Sequence, residues 1–155
     1  MKPAPVIRDA AIRSVHPPAS FMRFVVNPLV RIIVHTPLGR HAPSLAVLRF
    51  RGRRTDRGYK IPVVAHDLDG SMLVCTDASW AKNFTEATDL TIRQAGRTTR
   101  ATAQIIHDPQ PAANAMRRII TAKQPRALGL AVDPGHDPTD AELNSMRRVI
   151  RITTR

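Results

Sequence analysis

The sequence predicts an α+β domain, a small, mostly antiparallel β-barrel with peripheral helices. Two observations carry this expectation. Between Leu45 and His107 apolar and polar residues alternate with a period of two, and turn chemistry separates the runs. Helical three- and four-residue spacing is confined to the flanks of that region and to one interior crossover at Ser79 to Ala87. The 155 residues are 43% hydrophobic and 23% charged, which supplies one core and excludes wholesale disorder.

Residues 1–19 hold Pro3, Pro5, Pro17 and Pro18 and read as a flexible tail with a weak helical turn over Val6 to Val15, so that a single domain spans 20–155. Phe21, Met22, Val25, Leu29, Ile32 and Ile33 mark a helix with one apolar stripe, bent at Pro28 and stopped by Thr36-Pro37-Leu38-Gly39. Leu45 to Arg51 is a strand with Ala46, Leu48 and Phe50 on one face. Tyr59 to Asp67 is the second strand, Leu68-Asp69-Gly70 a hairpin turn, and Met72 to Asp77 the third strand. Ser79 to Ala87 is a short helix that Ser79 or Asp77 caps, with Trp80 and Phe84 four apart. Leu90 to Gln94 and Thr99 to His107, joined by Ala95-Gly96-Arg97, form another hairpin. Ala112, Ala115, Met116, Ile119 and Ile120 mark a core-facing helix ending before Pro125. Leu128 to Val132 reads as a strand or a turn of helix. Asp137-Pro138-Thr139 opens a last helix with Pro138 early in it and Asp140 and Glu142 at its positive end, and Arg148 to Thr153 closes the sheet.

The charge is the anomaly. Lys and Arg number 24 against 12 Asp and Glu, a formal net charge of +12, which favours nucleic acid, phosphorylated cofactors, acidic small molecules or a membrane surface as partners. The single cysteine, Cys75, cannot close an intrachain disulfide, so a reducing, cytoplasmic compartment is expected, and Cys75 reads as a small buried apolar residue. Phe21 to Val34 is broken by Arg23, Asn27, Pro28 and Arg31 and falls short of the roughly 20 apolar residues of a membrane span. No secretory signal is read before it. The six histidines show no H-x-x-x-H spacing and no partner cysteine, so no metal site is expected, and His66 and His107 read as solvated or backbone-bonded residues at strand ends. Serine hydrolase, P-loop and Rossmann patterns are absent.

The informative stretch runs from Arg49 to Val63. Between two strands it gathers Arg51, Arg53, Arg54, Arg57 and Lys60 around Gly52, Gly58 and Thr55. Such a loop suits an anion, because Arg offers a bidentate fork, Thr a hydroxyl, and glycines let backbone N–H groups approach a phosphate. A solvated basic hairpin tip has the same composition. Gly52-Arg53-Arg54-Thr55, then Tyr59-Lys60 and Pro62-Val63, then Trp80 and Asn83 as W-x-x-N, resemble the deazaflavin-dependent nitroreductase group of the split β-barrel flavin/deazaflavin oxidoreductases. The resemblance covers Ala46 to Asp108, with a weaker match around Asn27-Pro28-Leu29.

This resemblance implies an FMN-binding-type split barrel that lays a deazaflavin (coenzyme F-420), or FMN in its place, along a groove. Arg53, Arg54, Thr55 and Lys60 would contact its acidic tail, Val63 and Val64 would run beside the ring through their backbone, and Trp80 would wall the ring and the substrate pocket. Asn83 would fix the loop. The implied chemistry is hydride transfer to a small organic acceptor of nitro, quinone or enone type. The chain departs from the family at three places. Asp56 stands where the family has glycine, so that Arg54 or Arg57 must neutralise it and Gly58 take over the flexible role. Only Cys75 to Ser79 separate Val74 from Trp80, and Tyr59 is the sole tyrosine. The alternatives are a split barrel that carries a ligand without turnover and a basic nucleic-acid-binding protein. One Trp, one Tyr and four Phe offer little for base stacking, so only weak, non-specific nucleic-acid association is expected. Peripheral membrane contact, and a monomer or a homodimer, stay open.

Overall fold

The computed structural model describes residues 11–15 and 44–155. The helix expected over Phe21 to Val34, its stop at Thr36 to Gly39, and most of the expected tail lie outside the described residues. In chain order the elements are β1 (Ile12–Ser14), β2 (Leu45–Arg51), β3 (Gly58–Val64), β4 (His66–Leu68), β5 (Ser71–Thr76), a 3-10 helix (Ser79–Phe84), β6 (Thr88–Gln94), β7 (Arg97–Ile105), α1 (Pro109–Lys123), a 3-10 turn (Pro125–Leu128), β8 (Leu130–Val132), α2 (Asp140–Met146) and β9 (Arg148–Thr154).

Seven strands form one antiparallel sheet in the order β3-β2-β6-β7-β9-β5-β4. Its two edges, β3 and β4, are consecutive pieces of one segment, separated only by Ala65. The strand expected over Tyr59 to Asp67 therefore resolves into two, because the segment leaves β2 and changes partner to β5. Ala65 marks the change, and its N–H donates to the Ser44 carbonyl at 2.7 Å. A sheet whose edges are joined in this way curls on itself, and the architecture is an α+β split barrel. Two hairpins set the register by tight turns: Asp69 and Gly70 (φ 53° and 75°) between β4 and β5, and Ala95 and Gly96 (φ 49° and 77°) between β6 and β7. Both central residues have positive φ, the twist-matched two-residue geometry. Arg97 thus belongs to the strand rather than to the turn.

Period-two alternation sorts side chains into two cores. Leu48, Phe50, Val74, Phe84, Ile92, Ile150 and Ile152 fill the barrel. Leu73 and Val149, on the other face of β5 and β9, pack under the helices with Met116, Ile119, Leu130 and Leu143. Ile12 joins this second core. It lies within the stretch read as a tail with a helical turn, yet Ile12–Ser14 is a strand paired with Leu130–Val132, and Arg13 meets Asp133 at 3.1 Å. Leu128 to Val132 holds both alternatives, a 3-10 turn and then β8, divided by Gly129 at φ 69°.

Helix ends follow local chemistry, with two corrections. Asp108 caps α1 through Gln110 N–H, and Pro109 sits at the first position. In α2 the cap is Thr139, so Pro138 precedes the helix instead of entering its first turn. Neither Ser79 nor Asp77 caps the 3-10 helix, since Ala78 holds the cap position and Thr76 Oγ1 accepts from Ala78 N–H at 3.1 Å. Thr139 and Glu142 form a reciprocal capping box, with Thr139 N–H donating to Glu142 Oε2 at 2.8 Å and Glu142 N–H to Thr139 Oγ1 at 3.2 Å. The Thr139 backbone bond, and then the bond to His136, hold the Glu142 carboxyl below its ordinary value of 4.5. The stabilisation is therefore present above pH 4.5 and is lost as pH falls through the depressed folded value. Thermal midpoints measured from pH 6 to pH 2 should fall in that acid range, and Glu142→Gln should flatten that part of the profile.

Candidate functional site

The loop between β2 and β3 is closed by its own backbone. Gly52 N–H donates to the Arg57 carbonyl at 2.8 Å, and Asp56 N–H to the Gly52 carbonyl at 2.9 Å. Asp56 has φ 54°, the left-handed conformation that glycine adopts freely and Asp tolerates better than most residues. Asp56 thus meets the glycine requirement itself. Gly58 does not take it over, because Gly58 lies in β3 without a positive φ. The Asp56 carboxylate is met by Arg51 at 3.0 Å, not by Arg54 or Arg57. Both partners are exposed, so the pair contributes little stability and exchanges easily for another anion.

Asn83 fixes the loop. Its Oδ1 accepts from Arg53 N–H at 2.8 Å, and its Nδ2 donates to the Trp80 carbonyl at 2.8 Å, which ties the 3-10 helix to the basic segment. The Arg53 guanidinium reaches Glu86 at 3.2 Å. A Cβ at Gly52 would lie 2.8 Å from Tyr59 Cε2 and 3.2 Å from Thr55 Oγ1. Gly52→Ala should therefore displace the Tyr59 ring and cost about 1–3 kcal/mol, the range for overpacking. Urea denaturation against wild type measures it.

The structure brings Arg53, Arg54 and Thr55 together, exposed on this loop, with exposed Lys60 at the start of β3. It does not bring the other three there. Val63 and Val64 pair with Ala46 and Leu45 at the far end of β3, Val63 facing the core and Val64 exposed. Trp80 is half-buried, with its ring centroid 6.2 Å from both Phe50 and Phe84.

Register reveals a further feature. β2 pairs with β6 only from Ala46 to Arg49, opposite Gln94 to Thr91. Phe50 and Arg51 have no partner in β6, the two strands part, and a cleft of about 1010 Å³ opens there. Its apolar lining comes from Phe50, Tyr59, Leu90 and Ala101, the first two stacked at 5.2 Å and 12°. One wall carries Arg49, Arg51 and Lys60, the other Arg100 and Arg155. Asp89, the carboxylate in the lining, accepts from Arg155 at 2.8 Å and from Thr102 at 3.1 Å. Of the residues that the resemblance gives to the cofactor, only Lys60 lines this cleft, together with Arg51, Gly58 and Tyr59 of the same basic stretch. Arg100, Arg155, Thr91 and Leu90 were not expected there, since cross-strand register places them and no local motif announces it.

Titratable groups elsewhere have other roles. Burial pushes the Cys75 thiol up to about 12, against the opposing Arg147 guanidinium, which makes it unreactive at neutral pH. His107 Nε2 lies 2.6 Å from the Thr85 carbonyl, a backbone-bonded histidine. For His66 the solvated alternative fails and the backbone-bonded one holds: it is buried, with a backbone hydrogen bond at Ala127 and no partner at Nδ1, and burial first and Lys123 second hold its pKa below the ordinary 6.5. Among the described residues no group of three or more His, Cys, Asp and Glu could hold a metal, and no helix is long and apolar enough to cross a membrane.

No family model matches the chain, and no curated protein matches it. Solved structures do. The chain is similar to a protein described only as a domain-swapped dimer, with 13% identity over 88% of this chain and 100% of that one and a TM-score of 0.50. It is also similar to a candidate pyridoxamine 5'-phosphate oxidase from Listeria innocua (10% identity, 82% and 94% covered, TM-score 0.47). A third is the FAD and heme binding protein from Mycobacterium smegmatis (13% identity, 82% and 64% covered, TM-score 0.43). At these identities the likeness is one of fold, the α+β split barrel.

Proposed function

We propose that the protein is an oxidoreductase that binds a flavin-type cofactor, a deazaflavin in preference to FMN, and reduces a small organic acceptor. The observation that carries this reading is the cleft between β2 and β6, where an apolar, aromatic lining meets cationic walls beside the G-R-R-T loop. The residues present fit the group. A planar ring needs apolar surface that excludes water, which Phe50, Tyr59 and Leu90 supply, and an acidic tail needs guanidinium groups with labile partners. Arg53, Arg54, Thr55 and Lys60 are assigned to the tail, with Arg53 exchanging Glu86 for it. A bound deazaflavin supplies the hydride, and the proton that completes reduction of the acceptor comes from solvent.

A second seat for the ring has its own support. β3 is an edge strand, and Val64 is 45% exposed on it, which suits the backbone contacts that the resemblance gives Val63 and Val64. Thr91→Trp, at a half-buried position of the cleft lining, blocks the first seat and leaves the second open.

Calorimetric titration of both cofactors at one salt concentration tests the proposal. Deazaflavin should bind more tightly, because several cations suit a multiply charged tail better than one phosphate. Arg54→Ala should weaken it by about 1.5–3 kcal/mol, the worth of a hydrogen bond to a charged group. Equal or tighter FMN binding reverses the cofactor assignment, and binding of neither refutes the reading.

A further inference from the structure

The outer face of the sheet beside the cleft carries a row of side chains of which Lys60 alone is assigned to the acidic tail. Lys60 in β3 stands opposite Arg49 in β2, Arg49 opposite Thr91 in β6, and Thr91 opposite Arg100 in β7. Directly paired residues share a face, so the four form a line across adjacent strands. With strands about 4.8 Å apart, the backbones of Arg49 and Arg100 lie roughly 10 Å apart with Thr91 midway, close enough for two guanidinium groups to meet over one hydroxyl. All three residues line the cleft.

The two arginines of this row are unbalanced. Among the described residues neither Arg49 nor Arg100 makes an ion pair or a side-chain hydrogen bond. The nearby carboxylates are committed elsewhere, Asp56 to Arg51 and Asp89 to Arg155 and Thr102. Arg49 directly opposite Lys60 is a like-charge cross-strand pair, an arrangement that costs stability unless an anion lies between or beside the two. Local conflict of this kind is expected where a ligand resolves it.

We infer that Arg49, Thr91 and Arg100 form an oxyanion clamp that holds a carboxylate or phosphate group of a small ligand in the cleft, two guanidinium forks and one hydroxyl on a single group. The inference rests on the cleft being the ligand site. It adds a second anionic anchor, on the β6–β7 side and apart from the loop, so the site takes ligands with two separated negative charges or two anionic ligands together.

The full-length chain carrying Arg49→Gln, Arg100→Gln or Thr91→Val, with Arg148→Gln as control, is titrated with inorganic phosphate and with succinate by calorimetry. Either Arg variant should weaken phosphate binding about tenfold or more, the effect of losing one charge-assisted bond, while Arg148→Gln, on β9 outside the cleft, leaves it unchanged. Melting at low salt adds a reading independent of affinity. Arg49→Gln should raise the thermal midpoint by relieving Lys60, and phosphate should raise the wild-type midpoint more than that of the variant. Wild type that binds neither anion, or Arg variants with wild-type phosphate affinity, overturn the clamp. Cofactor titration of the same variants identifies the source. A matching loss in deazaflavin affinity assigns the clamp to the cofactor's phosphate. Unchanged cofactor affinity with a raised KM for a carboxylated acceptor, and not for its neutral analogue, assigns it to the acceptor. Phosphate binding without binding of either cofactor refutes the proposed function and upholds the clamp.

Discussion

Replacing Arg147 by methionine should destabilise the protein by about 3–5 kcal/mol, the cost of breaking a buried charged network from one side. The guanidinium is buried, its side chain only 2% exposed. Its Nε donates to the Leu128 carbonyl at 2.9 Å and its Nη2 to the Gly129 carbonyl at 3.0 Å. Its Nη1 donates to Ser14 Oγ at 2.9 Å and to the Met146 carbonyl at 2.7 Å, and lies 3.5 Å from Asp77. One side chain thus holds β1, the turn before β8 and the end of α2 together. Methionine fills similar space but leaves those carbonyls buried without donors, at about 1–3 kcal/mol each where no water replaces it. Lysine should rescue little, because a single ammonium cannot match a planar fork. Arg148→Ala, one residue on and exposed, should change stability by no more than about 0.5 kcal/mol. Guanidinium denaturation of the three variants checks the ordering, and a near-neutral Arg147→Met would mean that the network is dispensable.

The contrast between Arg147 and Arg148 shows where reading the sequence stops. Period two identifies β2, β7 and β9, and Asp69-Gly70 and Ala95-Gly96 announce their turns, because these signals are local. Nothing local distinguishes two adjacent arginines at the start of a strand. Which one is buried depends on β1 and β8 meeting above it, a contact between residues 133 positions apart. The split of 58–68 into β3 and β4 was hidden for the same reason. No glycine interrupts Tyr59 to Leu68, and only barrel closure forces a change of partner at Ala65.

The site divides along the same line. The G-R-R-T loop and the W-x-x-N motif are contiguous strings, and the structure joins them through the bonds that Asn83 makes to Arg53 and Trp80. The cleft is not a string. Its far wall comes from Arg100 and Arg155, brought beside Arg49 by the pairing of β2 with β6 and of β6 with β7 and by the Arg155 N–H bond to the Arg100 carbonyl at 3.1 Å. Alternation puts Arg49 and Arg51 on the outer face of β2 from sequence alone, but not what faces them.

Phe84→Ala should cost about 3–5 kcal/mol and disturb the cleft at the same time. Phe84 is 0% exposed and meets Phe50 edge-on, with centroids 4.7 Å apart at 67°, and Trp80 at 6.2 Å and 86°. Such aromatic pairs add about 0.5–1.5 kcal/mol beyond the area they bury, so the loss should sit at the upper end for a core truncation. Phe50 lines the cleft, stacks on Tyr59 and meets Phe84 edge-on, and the space left by truncation lets Phe50 and Tyr59 sink away from a bound ring. Phe84→Leu should recover most of the stability, because the site stays apolar and mostly filled. Cofactor affinity, measured well below each thermal midpoint, should fall for the alanine variant and hold for leucine. Trp80→Phe completes the series: if Trp80 only backs Phe50, its midpoint drops modestly with affinity unchanged, whereas altered affinity at an unchanged midpoint places Trp80 on the ligand and favours the seat along β3.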